Sequence, residues 1–290
     1  MIIRAYAKIN IALDILGKTN DNYHSLFTVM QSIGIYDDVT VELTSGPGVS
    51  ISCSNKALPQ DENNIAYKAY DKFFSYLGIK SPPSVKIDID KHIPFEAGLA
   101  GGSADAAAVL VALNEITSSG LDIEELCAIG AKVGADVPFC IKGGTMVGLD
   151  IGQVLAPLPP LDVPYIVLVK PPQGVSTKAA YDAFDTAENI RHCDREGILR
   201  ALVSGNNDEL YPRVQNVFEQ FVEVSDRVPI KSIMRNHGCK ATCMSGSGPS
   251  VYGLYDNEIK ARSAASELLN KWPETFVLKP MKHGLEIIGE

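Results

Sequence analysis

Long apolar runs are missing from this sequence. No stretch approaches the roughly 20 consecutive apolar residues of a membrane span. The first residues, Met1 to Lys8, lack the apolar core that follows a basic segment in a signal peptide. Metal-binding and disulfide patterns are missing too. The six cysteines are dispersed with no Cys-x-x-Cys pair, Cys239 and Cys243 have no second cluster to complete a zinc site, and the five histidines are scattered. These absences argue against a structural metal and against a disulfide framework, and for reduced thiols in a cytoplasmic protein. Positive charge is in short supply: 26 Lys and Arg face 35 Asp and Glu, for a net charge of −9. Binding to nucleic acid or to an anionic membrane is therefore not expected, and a polyanionic ligand would need a locally positive site. Internal repeats and low-complexity segments are absent.

Two common nucleotide motifs fail on one residue each. Gly17-Lys18-Thr19 could end a P-loop only with glycine at position 12, which is Ala12. Gly246-Ser247-Gly248 could open a dinucleotide fingerprint only with glycine at position 251, which is Val251.

What the chain does contain is a different glycine-rich loop. Pro94 to Gly102 holds Gly98, Gly101 and Gly102, and Ser103 to Ile116 is rich in alanine and leucine with no helix breaker. This predicts a loop feeding a helix, with Ser103 as N-cap. Such a helix start presents free N–H groups and a positive dipole end, which suits phosphate. Asp105, in the expected first turn, reads as a partner of that dipole.

The chain around this loop mixes helices with strands that are adjacent in sequence, which predicts an α+β fold. Ile2–Leu16 reads as a strand with Lys8 and Asn10 on one face. A second extended stretch runs from Tyr23-His24 to Ile35, a break is expected at Gly34 to Asp38, and Val39–Leu43 and Val49–Cys53 read as further strands. Asp61 to Asn64 can cap a helix from Ile65, and Asp122 with Glu125 forms a capping box. Pro138 fits the first turn of a helix preceded by Asp136. Asp136 is then either a plain cap or an ionised carboxylate aimed into a cleft. Tyr181 lies on a helix from Ser176 to Phe184. The proline-rich segment 156–160 marks a boundary, so residues 1–157 and 158–290 are expected as two domains. Ser245 to Ser250, all small residues, would form a second glycine loop on the wall opposite the first.

Three of these segments, in this order and spacing, resemble the motifs of the GHMP kinase superfamily: Ala7-Lys8-Ile9-Asn10, the stretch Pro94 to Ala107, and Met244 to Pro249. With Tyr23-His24 and Gly134-Ala135-Asp136-Val137-Pro138-Phe139, the resemblance narrows to the branch that phosphorylates the 2-hydroxyl of 4-diphosphocytidyl-2-C-methyl-D-erythritol. That branch works in the non-mevalonate isoprenoid pathway. The resemblance implies a ribosomal-protein-S5-like N-terminal domain and a ferredoxin-like C-terminal domain, with ATP between them. It implies Asp136 as catalytic base with Lys8 as its partner. It implies nucleotide contacts along Pro94, Phe95, Glu96, Ala97, Gly98, Leu99, Ala100, Gly101, Gly102, Ser103 and Ala104, with Asn64 at the adenine edge. On the substrate side it implies Asn10, Tyr23, His24, Thr177 and Tyr181, the last stacking on cytosine if it does not pack in the core. Mg²⁺ would arrive on the nucleotide, with no metal ligand assigned to the protein. The partner is a small molecule, and the assembly a monomer or weak homodimer. Phe95-Glu96 is bulkier than the small residues usual there, and Val147 to Gln153 departs from the usual acidic Gly-Ile-Gly-Glu ending.

Overall fold

A computed structural model describes residues 1–18, 24–46 and 48–289. The elements of the first half are β1 (Ile2–Lys18), β2 (His24–Thr44), β3 (Val49–Cys53), α1 (Ile65–Tyr76), β4 (Ser84–Asp90), α2 (Gly101–Ile116), α3 (Ile123–Ala131), α4 (Val137–Lys142), β5 (Thr145–Asp150) and β6 (Val154–Pro157). There follow β7 (Tyr165–Val169), α5 (Thr177–Asp185), α6 (Arg195–Ser204), α7 (Asn207–Leu210), β8 (Gln215–Asn216), α8 (Arg227–Asn236), β9 (Ala241–Met244), β10 (Val251–Tyr255), α9 (Glu258–Leu269), β11 (Thr275–Leu278) and β12 (Leu285–Gly289).

The larger sheet is organised on the long hairpin of β1 and β2 and has the path β12-β1-β2-β4-β3, with β5 joined to β2, β6 to β5 and β8 to β1. Helix α2 is largely apolar, and Ala104 to Leu110 are all buried. A helix of that kind belongs inside a core. Its alanines let it lie close to the sheet, in one cluster with Ala7, Ile9 and Phe73. The smaller sheet runs β11-β7-β10-β9, antiparallel throughout. Numbered by chain order within that unit, its strands lie 4-1-3-2, with α8 and α9 packed on Val167, Val169 and Val251. This is the expected ferredoxin-like arrangement. Late residues also return to the larger sheet: β12 pairs with Ile2–Ala5, and Gly284 lies against Gly143 at the end of α4, where a Cβ on Gly143 would strike the Gly284 backbone.

The expected break at Gly34 to Asp38 is absent. Strand β2 runs on, and the register against β1 jumps from Tyr6↔Tyr36 to Ala7↔Ile33. Gly34 and Ile35 therefore form a bulge, and Gly34 N–H donates to Lys279 O at 2.9 Å. A glycine that looks like a break marks instead a close approach of another backbone.

Candidate active site

Both glycine loops, the start of α2 and one edge of β1 enclose a cleft of about 900 Å³. Residues 94 to 103 all line it. The helix begins at Gly101, two residues before the expected N-cap. Ala100 takes the cap position in a left-handed conformation (φ 60°) and no side chain caps the first turn. Ser103 thus lies within the first turn, its cap role replaced by the backbone bend at Ala100. With no side-chain cap, the N–H groups of the first turn, on residues that line the cleft, are available as anion donors. Ala104 is fully buried behind the loop and does not reach the cleft.

The two glycine loops do not face each other across the cleft as expected; they touch. Gly98 has φ 72°, and a Cβ there would collide with the Ser245 carbonyl. The Ser245 hydroxyl donates to Gly98 O at 2.9 Å. Glycine is required at position 98 for both conformation and space. Lys8 N–H also donates to Leu99 O at 3.0 Å, tying β1 to the first loop.

Lys8 is 5% exposed. Its Nζ donates to Asn10 Oδ1 at 2.9 Å and stands 3.5 Å from Asp136 Oδ2. Asp136 occupies the N-cap position of α4 but makes no side-chain cap bond. Its carboxylate is one-third exposed and turned towards the lysine and the cleft. Of the two roles left open by the sequence, capping is the one the geometry removes. A buried ammonium so close to a carboxylate is a paired charge with one side open to a ligand.

Asn10 lines the cleft, but its amide is engaged within the protein. Oδ1 accepts from Lys8 and from Gly246 N–H (2.9 Å each), and Nδ2 donates to Thr28 Oγ1 at 2.8 Å. It joins the lysine to the second loop. Asn64 is the N-cap of α1, accepting from Ala66 N–H at 2.9 Å and donating to Pro59 O at 2.7 Å, and it forms part of the wall. Thr177 Oγ1 lies 3.1 Å from Ser247 Oγ.

Tyr181 borders the cleft, half-buried, with its ring edge-on to Phe218 at 5.1 Å. Burial, with Asp136's charge adding, pushes its phenol up to about 12, so it is neutral at ordinary pH. His24 stacks on it at 4.5 Å, and its Nε2 lies 2.7 Å from Asp185 Oδ1. Tyr23 lies outside the described residues.

Asp105 is not a dipole partner. It is buried, its Oδ2 is 2.7 Å from Lys91 Nζ, and burial holds its carboxyl well above the usual range. Among the described residues no cluster of three or more His, Cys, Asp or Glu could hold a metal, and no helix is long and apolar enough to cross a membrane. All six cysteines are free thiols.

The family model described as GHMP kinases N terminal domain matches residues 64–144, and that described as GHMP kinases C terminal matches residues 186–274. The chain is 42% identical over 275 residues to a 4-diphosphocytidyl-2-C-methyl-D-erythritol kinase of Clostridium perfringens, covering 94% of each. It is 41% identical over 284 residues to one of Clostridium beijerinckii, covering 96% of this chain and 99% of that one. The chain belongs to the 4-diphosphocytidyl-2-C-methyl-D-erythritol kinase family.

A crystal structure of a 4-(cytidine 5'-diphospho)-2C-methyl-D-erythritol kinase superposes with a TM-score of 0.79 at 30% identity, covering 97% of this chain and 99% of that one. A homoserine kinase from Cytophaga hutchinsonii, at 19% identity and a TM-score of 0.80, shares the fold. Membership of this kinase family makes the chain a small-molecule kinase with the GHMP fold, an S5-like N-terminal part and a ferredoxin-like C-terminal part. Some residues that shape this family's cleft here were not read from the sequence. Asn216 donates to Met244 O (2.8 Å) and Gly246 O (2.7 Å) and so sets the second loop. Thr28 and Phe218 back Asn10 and Tyr181. None lies in a recognisable motif; each is found only through its partner.

Proposed function

We propose that this chain transfers the γ-phosphoryl group of ATP to the 2-hydroxyl of 4-diphosphocytidyl-2-C-methyl-D-erythritol in the non-mevalonate isoprenoid pathway. The observation that carries this reading is the Lys8–Asp136 pair, 3.5 Å apart, at the mouth of a cleft edged by uncapped helix N–H groups. Phosphoryl transfer through a loose transition state needs positioning and charge neutralisation more than a strong base. Asp136 orients the attacking hydroxyl and accepts its proton as the P–O bond forms. Lys8 offsets charge on the transferring group. The N–H groups of residues 100–103 receive the phosphates of ATP.

Two lysines, Lys8 and Lys91, line the cleft, and each already has carboxylate partners. The triphosphate charge therefore calls for more than side chains, and Mg²⁺ carried on the nucleotide supplies it. Tyr181 offers a flat apolar surface for cytosine, with His24 and Thr177 beside it. The junction of the two domains is assigned to the 156–160 segment, the assembly to a monomer or weak homodimer, and the location, on the evidence of six free thiols, to the cytoplasm.

The test is ADP release with Mg·ATP and 4-diphosphocytidyl-2-C-methyl-D-erythritol, with homoserine and mevalonate in parallel. Turnover with the cytidine compound alone is expected. Turnover with either other alcohol would void the substrate assignment and retain the Asp136 mechanism.

A further inference from the structure

A second lysine–carboxylate cluster lies at the cleft, and the chemistry above does not use it. Lys91 Nζ donates to Asp37 Oδ2 and, at 2.7 Å, to Asp105 Oδ2. All three side chains are at least nine-tenths buried. Asp37, on β2, also accepts with Oδ1 the backbone N–H groups of His92 (2.6 Å) and Ile93 (2.8 Å). Those two residues lead directly into the glycine loop, and Asp105 stands on α2 just past its exit. One cluster thus grips both ends of the loop. A carboxylate bonded to two N–H groups and an ammonium is a directional clamp. The first turn of α2 rests on it: a Cβ on Gly101 would come to 3.3 Å from Lys91 Nζ and 3.0 Å from Ile93 Cγ2.

Stability alone does not account for this cluster. Burying a lysine between two carboxyl groups carries a desolvation cost, and packed apolar side chains of the same volume stabilise as well or better. What apolar side chains cannot do is bond the N–H groups that lead into the loop and fix their direction. We infer that Asp37 and Lys91 are positioning residues for the nucleotide phosphates: they hold the glycine loop at entry and exit so that its N–H donors are aligned before ATP arrives. This rests on the reading of the cleft as the ATP site.

The test compares the full-length wild type with Lys91→Met, Lys91→Arg and Asp37→Asn. It measures direct binding of Mg·ATP by calorimetry, KM for the cytidine substrate, and amide hydrogen exchange across residues 93–103. Lys91→Met is expected to weaken Mg·ATP binding about tenfold or more, to leave the cytidine KM within about twofold, and to speed exchange in the loop. Lys91→Arg, which keeps the charge, should recover most of the binding. Should Lys91→Met lose its cooperative melting transition, Asp37→Asn carries the test, with the same separation expected at about threefold. Unchanged ATP binding with unchanged loop exchange overturns the inference, as does equal weakening of both ligands. The reading of the reaction fails separately, through absence of wild-type turnover with the cytidine compound while ATP still binds.

Discussion

Two lysine–aspartate corners share one cleft, and their chemistry differs. At the corner of Lys8 and Asp136 the charges are 3.5 Å apart, the carboxylate is one-third exposed, and a ligand can come between them and solvent. At the corner of Lys91, the ammonium is closed between Asp37 and Asp105, with side chains 0–6% exposed. The first pair is loosely made and accessible; the second is tightly made and sealed. The protein leaves the Lys8–Asp136 pair open on one side, whereas it encloses Lys91 between two buried carboxyl groups, with Asp105 Oδ1 left unpartnered. Residue type does not separate the two corners, because each offers a lysine and an aspartate; coordination does.

The sharpest way to break the comparison is at the open corner. Asp136→Asn should lower kcat by about 10³-fold with ATP affinity nearly unchanged. Steady-state kinetics beside calorimetric ATP binding would check it, and near-normal turnover would remove Asp136 from its role. Lys8→Met should lower kcat by about 10²-fold. Its melting temperature should fall little, since the exposed side of Asp136 can take up water.

Between the corners lies the joint of the two loops. Gly98→Ala combines a left-handed φ with a collision at the Ser245 carbonyl, and should destabilise by about 2–3 kcal/mol. Denaturant titration reads this, and an unchanged midpoint would mean the loops do not interlock in solution. Away from both lysines, Tyr181→Ala should raise KM for the cytidine substrate about tenfold and leave that for ATP alone. Equal effects on both would make Tyr181 a core residue.

The smallest effect concerns Asp185, whose carboxyl is held below its ordinary value of 3.8 by His24 and Lys18. A folded value below the unfolded one gives stability that is present above the unfolded pKa and lost as pH falls through the folded one. Wild type should therefore lose more stability than Asp185→Asn on acidification below about pH 4. Parallel acid-melting curves would show that His24 and Lys18 are not holding this carboxylate.

Local signals in the sequence were legible where local bonds decide the outcome. Asn64 and Asp122 cap the helices expected of them, and Asp122 with Glu125 closes the capping box. The glycine loop before an alanine-rich helix was visible, as was the shared face of Lys8 and Asn10. Features decided by remote partners were not visible. The start of α2 is set by the left-handed turn at Ala100, which depends on how the loop lies against β1, so Ser103 gave a misleading cap signal. Gly34 looked like a break because its neighbour, the backbone at Lys279, is far along the chain. Asp105 looked like a dipole partner because nothing near it in sequence points to Asp37. The bent contact of Gly98 with Ser245 likewise joins segments whose meeting no spacing rule foretells.

The return of β12 to the first strand has a consequence for biosynthesis. Residues 285–289 pair with the N-terminal end of β1, whose later residues include Lys8, while Gly284 braces the far end of the helix that begins after Asp136. The start of β1 thus keeps an unpaired strand edge until residues 285–289 have been made. Such distant pairing is slow to form and leaves an edge open to wrong partners meanwhile. Lys8 and Asp136 both precede β12, so the frame that holds the pair is closed only by codons read well after theirs.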